Sequence, residues 1–499
     1  MVRAMLALLS VLVQLAGAPA LLLVKDWRRG GAITALFIAV GGVALLLASA
    51  GALGGEAVEE FYAVAPDLNL LKLRIDGFNL VFALLILLLS VVVALYSMEY
   101  MHGSPYPGVY YSLYLVYAAA MMGSVISGSL TTFFVFFELM LIPSWALIAF
   151  WGTGRREIIA LKYFLFTEVG ALLTMLGITL VYARYGTLDF AELRTRLAGV
   201  PPRELLLPAI LLSFGPLVKM AVVPLHAWLP DAHAEAPTPI SALLSPAMIG
   251  IGGWALVRML IYSMPQLFAL TEVRIALTVM AVLTMGYGSL CAFAQDDIKR
   301  LLAYSSISQM GYMLLGISSA CEAGVTGVAT LYFSHGLAKA ALFMVAGVLY
   351  HELKTRSISK MGGLAPRMRF TATAAVVSFL SLAGVPPLLG FWAELQVFLG
   401  AASASLSGGL LNDPSRASLS YAMLSLTIAA VVLAVLTAGY GLWTVKRVFY
   451  GEPPRELAHV EEKVCVTTVM PLFLATLSVV AGIYPSWLIA LARHAVTPP

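Results

Sequence analysis

Six ionisable side chains lie in stretches of the sequence that are otherwise apolar. They are Glu138, Glu168, Lys219, His335, Lys339 and Glu394. A lysine at the centre of a bilayer costs about 2.5–3.5 kcal/mol on insertion scales, so intramembrane charges usually face a protein interior or a water-filled cavity. Carboxylates, amines and imidazoles can all accept and release protons. These residues therefore predict an ion path through a membrane protein.

Lys219 is the centre of this set, because the apolar run 205–225 is broken beside it. Pro216 and Pro224 flank the lysine, and Pro224 removes a backbone donor and presses on the carbonyl of Met220. Unwound backbone inside a membrane is tolerated only where it is buried in protein or lines a cavity. A broken helix with a lysine at the break is therefore predicted to line an ion path.

Two acids are the expected partners of this lysine. Glu138 lies in TFFVFFELMLIPSW, and we expect it to form an ion pair with Lys219, since each charge lowers the cost of burying the other. The alternative is a structural ion pair that fixes helix register, although apolar packing would serve that purpose without desolvating two charges. Glu168, in KYFLFTEVGALLT, is a second buried acid.

A second group of candidates lies further along the chain. His335 and Lys339 are four residues apart, so they project from one helix face and could exchange a proton through water. A lone intramembrane histidine is often only a hydrogen-bonded core residue, so His335 is a candidate because of Lys339. Glu394 follows a second helix break in SLAGVPPLLGFWAE, although a glutamate near a helix end could also cap backbone donors.

Other titratable residues are weaker candidates. One cluster has the residue types of a metal site, namely His226, Asp231, His233 and Glu235. Its proline-interrupted segment near the surface argues against metal binding. Arg258 is predicted to anchor the eighth span at the membrane interface, because a guanidinium does not release protons. The three cysteines have no spacing that could hold zinc or an iron–sulfur cluster, so we expect no redox centre or cofactor in this chain.

The composition excludes a soluble globular protein. Hydrophobic residues make up 61% and charged residues 11% of the 499 residues, whereas about a quarter of a soluble protein is charged. We interpret 4–24 as a membrane helix rather than a signal peptide, because the apolar run continues through the apparent cleavage site. Hydropathy predicts fourteen spans, near 4–24, 31–53, 78–97, 110–127, 129–151, 158–182, 205–229, 239–263, 272–294, 298–319, 324–352, 371–399, 418–449 and 465–492.

The lysines and arginines predict the orientation of these spans. Loops after odd-numbered helices hold sixteen of them, whereas the other loops and the termini hold ten. Both termini should therefore lie outside, with the odd loops in the cytoplasm. Segments 56–76 and 187–199 should also lie outside. Each is expected to be a connecting loop, or in the second case a short amphipathic helix on the membrane surface.

The predicted fold class is an all-α polytopic membrane protein of one membrane domain, 1–499. The seventh and twelfth spans are both interrupted at their centres, five spans apart, and an odd offset turns the second copy upside down. This is the inverted-repeat plan of many transporters. We expect N-terminal helices, two inverted five-helix repeats and a C-terminal helix, in 1–100, 110–263, 272–449 and 465–492 respectively.

Seven motifs spread through the chain resemble those of one family. They are LKLRIDGFNLVF at 71–82, FFVFFELMLIPSW at 133–145, ALKYFLFTEVG at 160–170, VKMAVVPLHAWLPDAHAEAPTPISALLS at 218–245, FAQDDIKRLLAYSSISQMGYM at 293–313, SHGLAKAALFMVAG at 334–347 and GVPPLLGFWAE at 384–394. The chain resembles the antiporter-like membrane subunits of respiratory complex I, membrane-bound hydrogenases and Mrp-type cation/proton antiporters. It is most similar to the subunit 4 (chain M) type of complex I. The longer type has a lateral helix, for which no room is expected after Pro499.

The resemblance implies a hydrated central axis. It assigns the family's Glu–Lys pair to Glu138 and Lys219, a relay position to Lys339 with His335 beside it, and an outlet acid to Glu394. It also implies other membrane subunits as partners, with membrane lipid around them. Peripheral redox subunits would carry iron–sulfur clusters, with flavin as a further candidate, and no nucleic acid is expected.

One position departs from the family pattern. Relatives usually carry a Lys or His in the eighth span, where this chain has Gly250 in SPAMIGIGGWALVR. Either water together with a Tyr, a Ser or His335 bridges the gap, or Glu168 reroutes the path, or the subunit transports poorly.

Three functions remain open at this point. The first is a proton-translocating subunit of a redox-driven NADH/quinone-type oxidoreductase in an energy-converting membrane. The second is a subunit of a Mrp-type sodium/proton antiporter or of a membrane-bound hydrogenase-type complex. The third is a structural membrane subunit that does not pump.

Overall fold

The computed structural model describes residues 5–62, 71–406, 414–454, 457 and 460–493. Arg3 and Arg455, two of the charges that predicted the orientation, lie outside the described residues. The described part is a bundle of helices with one antiparallel pair of strands, β1 (Val58–Tyr62) and β2 (Leu71–Ile75).

The α-helices are numbered in chain order. They are α1 (Leu6–Leu21), α2 (Trp27–Ala48), α3 (Ala50–Leu53), α4 (Gly77–Tyr100), α5 (Pro107–Val125), α6 (Leu130–Leu139), α7 (Leu141–Trp151), α8 (Arg156–Tyr185), α9 (Phe190–Leu197), α10 (Leu206–Lys219), α11 (Leu229–Glu235), α12 (Thr238–Leu243), α13 (Ile249–Leu256), α14 (Thr271–Phe293), α15 (Ile298–Ser319), α16 (Glu322–Leu353), α17 (Arg369–Leu382), α18 (Leu389–Leu406), α19 (Pro414–Phe449), α20 (Val466–Ile483) and α21 (Ser486–Arg493).

Every predicted span contains helix. Within the described residues, eleven helical stretches are long and apolar enough to cross a membrane, and α1 and α17 are shorter apolar helices. α15 is long enough at 22 residues but carries a polar face of Ser and Gln. The helix of the seventh predicted span, α10, is also short, because it is the first half of an interrupted span. The fold class predicted from the sequence is confirmed.

The predicted break beside Lys219 is confirmed. α10 ends at this residue, and α11 begins only at Leu229. Other groups satisfy part of the freed backbone: the Trp228 indole donates to the carbonyl of Val218 at 2.9 Å. Inward-facing polar groups thus replace the helical hydrogen bonds that the break removes.

The predicted break in the twelfth span is also confirmed. α17 ends at Leu382 and α18 begins at Leu389. Gly384 adopts a φ of +65° within the break, a backbone conformation that favours glycine. α18 packs on α16, as α10 packs on α8. Each interrupted span therefore packs against the span that precedes it.

The helix of the eighth span is irregular at two points. Between α12 and α13 lies a π-helical segment, Leu244–Met248, and a second one, Val257–Tyr262, follows α13. Pro246 has no N–H to donate, so an α-helical hydrogen bond is missing in the first segment. Such π-helical turns are rare and occur frequently at functional sites.

Two surface predictions need correction. The loop expected at 56–76 contains strands β1 and β2, which pair in register with Glu59 opposite Arg74. The amphipathic helix in 187–199 exists as α9, but its apolar residues Phe190, Leu193 and Leu197 are buried in the protein. The helix therefore does not lie with its apolar face on the lipid. Its capping residue Asp189 binds Lys72 of β2 at 2.5 Å.

Lys72 is held between two carboxylates outside the spans. Burial alone would lower the pKa of Lys72, but its hydrogen bonds and charge interactions with Asp189 and Glu59 raise that pKa above its usual value. The two strands and the start of α9 are thereby tied together.

The predicted interface anchor at Arg258 is wrong. Its side chain is buried, and its guanidinium donates to both carboxylate oxygens of Asp76, at 2.5 and 2.6 Å, and to Asn79 at 2.7 Å. The Trp254 indole donates to the same Asn79 oxygen at 2.8 Å. The sequence could not reveal this ion pair, because its two charges are far apart in the chain.

We predict that Asp76→Asn lowers the free energy of unfolding by about 3–5 kcal/mol, because it leaves the Arg258 guanidinium buried without its counter-charge. The measurement is denaturant unfolding in detergent, followed by tryptophan fluorescence. Glu59→Gln is the control, since Glu59 is partly exposed and binds Lys72 and Arg74 at the surface. Its loss should be below about 1 kcal/mol. Equal losses in both variants would contradict the prediction.

Candidate functional site

Lys219 lies at the end of α10 with 1% of its surface exposed. Its ammonium nitrogen is 4.9 Å from the centroid of the Phe137 ring and 5.8 Å from that of Tyr163. Among the described residues, no carboxylate lies within the 4.0 Å that defines an ion pair with it. The expected direct pair with Glu138 is therefore not formed, because Lys219 points to aromatic rings that stabilise a cation through their faces.

Glu138 faces a second acid as well as the lysine. It lies in the last turn of α6, and its carboxyl interacts electrostatically with that of Glu168 on α8. Both carboxyls interact electrostatically with Lys219. Two carboxyls that interact in this way are harder to ionise together than singly. The acidic partner of Lys219 is therefore a half-buried carboxyl pair, and not Glu138 alone.

His335 and Lys339 lie on α16, as predicted, and both are buried. The Lys339 ammonium donates to the backbone carbonyl of Leu302 at 3.0 Å. Neither ring nitrogen of His335 has a hydrogen-bond partner among the described residues. Lys339 is the charged group that most affects His335. The pair thus combines a cation held by one carbonyl with an imidazole whose two nitrogens remain available.

Two further buried residues, not predicted as relay residues, lie beside this pair. His233 is fully buried, stacks on Phe343 with ring centroids 5.2 Å apart, and interacts electrostatically with both Lys299 and Lys339. Lys299 donates to the carbonyls of Ala234 and Ala236, at 3.2 and 2.5 Å. Lys299 is one of the sixteen lysines and arginines that the sequence placed in loops after odd-numbered helices. Only the fold shows that its side chain turns inward.

A cavity of about 240 Å³ opens beside Lys299. Its lining includes Tyr100, Thr238, Tyr350 and Arg356. Tyr100, Thr238 and Tyr350 lie at the ends of α4, α12 and α16, and Arg356 lies in the segment that follows α16. Lys299 is thus the buried residue of this group that borders the cavity.

The cluster that had the residue types of a metal site is used otherwise. Asp231 binds Lys162 at 2.7 Å and Arg300 at 2.6 Å. His226 packs edge-on against Tyr287, with ring centroids 4.6 Å apart. No group of three or more His, Cys, Asp or Glu side chains in the described part of the chain could hold a metal ion.

Glu394 lies in the second turn of α18 and is 9% exposed. Its carboxyl interacts with the Gln309 side chain, and no backbone N–H among the described residues donates to it. The alternative of a helix cap is therefore wrong. A Cβ atom on Gly384 would lie 2.4 Å from a carboxylate oxygen of Glu394. The break in the twelfth span thus places Gly384, which has no side chain, next to the Glu394 carboxylate.

The space that a side chain at position 250 would occupy is filled by the ring of another residue. A Cβ atom there would lie 2.2 Å from the ring of Tyr332 on α16. This ring stacks on Phe82 with centroids 4.2 Å apart, and its hydroxyl donates to the carbonyl of Ala247 at 2.9 Å. Aromatic packing replaces the charged side chain expected at this position from the resemblance.

These features define a class: a polytopic membrane subunit with buried lysines, acids and histidines beside two interrupted helices. A family model described as "NADH:quinone oxidoreductase/Mrp antiporter, TM" matches residues 127–412. A second, described as "NADH-Ubiquinone oxidoreductase (complex I), chain 5 N-terminus", matches residues 68–111. The protein belongs to this family of antiporter-like membrane subunits.

Known relatives agree with this assignment. NAD(P)H-quinone oxidoreductase chain 4 1 of a Synechococcus species is 33% identical over 400 residues, which are 79% of this chain and 71% of the relative. A chain of Thermus thermophilus respiratory complex I with bound NADH superposes with a TM-score of 0.83 at 26% identity, covering 99% of this chain and 100% of that one. A chain of the Mrp complex from Dietzia sp. has the same fold, with a TM-score of 0.87 at 22% identity, over 99% of this chain and 97% of that one.

We predict that Gly384→Ala lowers ion transport by the assembled complex at least tenfold, because the added methyl group would displace the Glu394 carboxyl. Transport is measured in sealed membrane vesicles. Gly451→Ala is the control, since Gly451 also has a positive φ, of +96°, but a Cβ atom there meets nothing within 4 Å. It therefore shares the backbone strain without the contact. If both variants transport equally well, the prediction fails.

Proposed function

We propose that this chain is the proton-translocating subunit of a complex I-like, redox-driven oxidoreductase of the NADH/quinone type. The observation that supports the proposal most directly is the burial of two lysines, Lys219 and Lys339, with no carboxylate of the described residues in contact with either. A purely structural charge in a membrane protein is usually paired. A lysine held only by rings or by one carbonyl is able to exist with or without its proton.

In this proposal Lys219 stores the proton and the carboxyl pair of Glu138 and Glu168 sets its proton affinity. Moving a carboxylate toward or away from the ammonium changes that affinity, with no redox chemistry in this chain. The energies are compatible. A tenfold change in affinity is about 1.4 kcal/mol, and moving one charge through 100 mV costs about 2.3 kcal/mol. A change of about two orders of magnitude is therefore enough to drive one proton.

The remaining buried groups supply the rest of the route. Water entering the cavity would meet Lys299, and His233 interacts electrostatically with both Lys299 and Lys339. His335 is the neighbour of Lys339 on α16. Glu394, at the second break, is the proposed outlet acid. Each step passes a proton between groups that can both accept and donate it.

The orientation and the repeats belong to the same proposal. With both termini outside, the cavity beside Lys299 opens to the cytoplasm of an energy-converting membrane. The segments 110–263 and 272–449 would be inverted repeats, preceded by 1–100 and followed by 465–492. The matching positions of the two breaks support this division, because α10 and α17 end at corresponding points five spans apart.

A subunit of a Mrp-type antiporter is the second candidate. The likeness of fold to a chain of a Mrp complex supports it, and the same buried groups would then exchange protons against sodium. Membrane-bound hydrogenase-type assemblies fall under the same alternative. The third candidate, a structural subunit that does not pump, has Gly250 as its support. The partner proteins distinguish these candidates.

We predict that Lys219→Ala and Glu138→Ala each abolish coupled proton transport while the complex still assembles, because each removes a member of the storage site. Proton uptake per electron transferred is measured in inverted vesicles. Lys446→Ala is the control, since Lys446 is an exposed lysine at the end of α19, where it lies over Trp443. Unchanged pumping stoichiometry in both site variants would refute the proposal.

The assembly is tested by gentle purification through a tag on this chain, followed by identification of the co-purifying proteins and an electron paramagnetic resonance spectrum. Iron–sulfur proteins in the preparation support a redox-driven pump with peripheral redox subunits. An assembly of small membrane subunits without redox centres would replace this proposal by the antiporter.

A further inference from the structure

The cavity of about 240 Å³ beside Lys299 has a basic lining. Four basic side chains border it, those of Lys299, His351, Lys354 and Arg356, and no aspartate or glutamate of the described residues does so. Lysine and arginine side chains ordinarily carry a positive charge. A cavity with such walls is complementary to an anion.

Lys299 is the buried cation of this lining, with 4% of its surface exposed. Its ammonium donates to the carbonyls of Ala234 and Ala236, at 3.2 and 2.5 Å, whereas an ammonium group has three donors. One N–H is therefore left without a partner among the described residues, and the two carbonyls carry no full negative charge. An anion in the cavity would supply both the third acceptor and the counter-charge that a buried ammonium lacks.

Lys354 brings a second unpaired cation to the cavity. It directly follows α16, has a φ of +54° and is exposed. Arg356, by contrast, binds two acids beside the cavity, Asp297 at 3.0 Å and Glu235 at 4.0 Å. No ion pair of the described residues includes Lys299 or Lys354. The charges of these two lysines are therefore the ones that a ligand could neutralise.

The cavity lies at a level where several helices end. Tyr100, Trp151 and Tyr350 border it at the ends of α4, α7 and α16, and Tyr350 is 38% exposed. Tyrosine and tryptophan are enriched where the hydrocarbon core of a membrane meets water, at the level of the lipid headgroups. Basic pockets between membrane helices at this level are suited to anionic headgroups.

We propose that this cavity binds a phosphate group through Lys299 and Lys354, and that the phosphate belongs to the headgroup of an anionic phospholipid. Phosphate oxygens accept charge-assisted hydrogen bonds from ammonium groups. Inorganic phosphate has the same chemistry, but the rings at the membrane interface favour the lipid. The cavity is also many times larger than the roughly 10–15 Å³ that one water needs, so water fits beside the phosphate. Such binding does not depend on which ion the subunit transports.

A photoactivatable phosphatidylglycerol, with the reactive group on its headgroup, tests the site in the assembled complex. The complex is purified in a detergent without phosphate and illuminated with the probe in mixed micelles. The labelled residues are then located by mass spectrometry. We expect labelling of Tyr350 and His351 at the end of α16. A glucosyl diacylglycerol with the same reactive group has no phosphate and should label these residues about tenfold less.

Charge-removing variants show whether the two lysines hold the probe. Lys354→Gln should lower the labelling about fivefold and Lys299→Met about tenfold, because each removes a charge that the phosphate contacts. Lys354→Arg keeps the charge and should be labelled as the unmodified protein is. Lys360→Gln is the matched control, since Lys360 is also an exposed lysine between α16 and α17 but does not border the cavity. The Lys354 variants are decisive if Lys299→Met does not assemble.

Equal labelling of Lys354→Gln, Lys354→Arg and Lys360→Gln would overturn the phosphate site. Equal labelling by the phosphate-free probe would overturn it as well, because the cavity would then be an ordinary part of the membrane interface. Millimolar inorganic phosphate, compared with sodium chloride of the same ionic strength, separates the two sources of the ligand. Unchanged labelling supports the lipid headgroup. Loss of the labelling supports a phosphate site but overturns its assignment to a lipid.

Discussion

The burial of positive charge in a membrane without a bound counter-ion is the constraint on which the rest of this structure depends. An ammonium group taken out of water loses several kcal/mol of hydration. Lys219 recovers part of it from aromatic faces and more distant carboxyls, and Lys339 from one backbone carbonyl. Helices must therefore be interrupted, widened or turned so that rings, carbonyls and hydroxyls reach these two groups while lipid does not.

Arg258, whose charge stabilises the fold, is held in a different way. Arg258 is bound by Asp76 through both carboxylate oxygens and by Asn79 in addition, so its charge is fixed in place. This contact joins the end of the eighth span to the start of α4 and to the neighbouring strand β2. The same span thus has a rigidly held end and, at Leu244–Met248, an irregular turn surrounded by hydroxyls. Arg258, whose hydrogen bonds are all made by fixed partners, is a structural group. Lys219 and Lys339 have few partners, and this is what distinguishes groups that can exchange protons.

The sequence predicted the architecture because membranes simplify the relation between composition and structure. Long apolar runs located the spans, and proline with an intramembrane Lys or Glu located both breaks. It also identified Glu138, Glu168, Lys219, His335, Lys339 and Glu394 as buried or half-buried groups within the spans. The direct ion pair between Glu138 and Lys219 is not formed, since the direction of a side chain at the end of α6 depends on packing that the sequence does not show.

Residues whose surroundings are set by tertiary packing could not be recognised from the sequence. Lys299 reads as a loop lysine, His233 as part of a surface cluster and Arg258 as an anchor, because hydropathy averages over a window and ignores the direction of one side chain. The pair of strands β1 and β2 was missed, since five-residue strands next to a long helix give little periodic signal. The sequence did not indicate that Tyr332 contacts Gly250, because the two residues meet only when α16 packs on the eighth span.

α16 has a consequence for how the protein is made. It is 32 residues long and its apolar stretch is entirely enclosed by other helices, including α17, α18 and α20, which follow it in the chain. A nascent α16 therefore enters the bilayer with Lys339 and His335 before its later neighbours exist. Biosynthesis must shelter this helix, in the insertion machinery or against α15, until the last third of the chain closes around it.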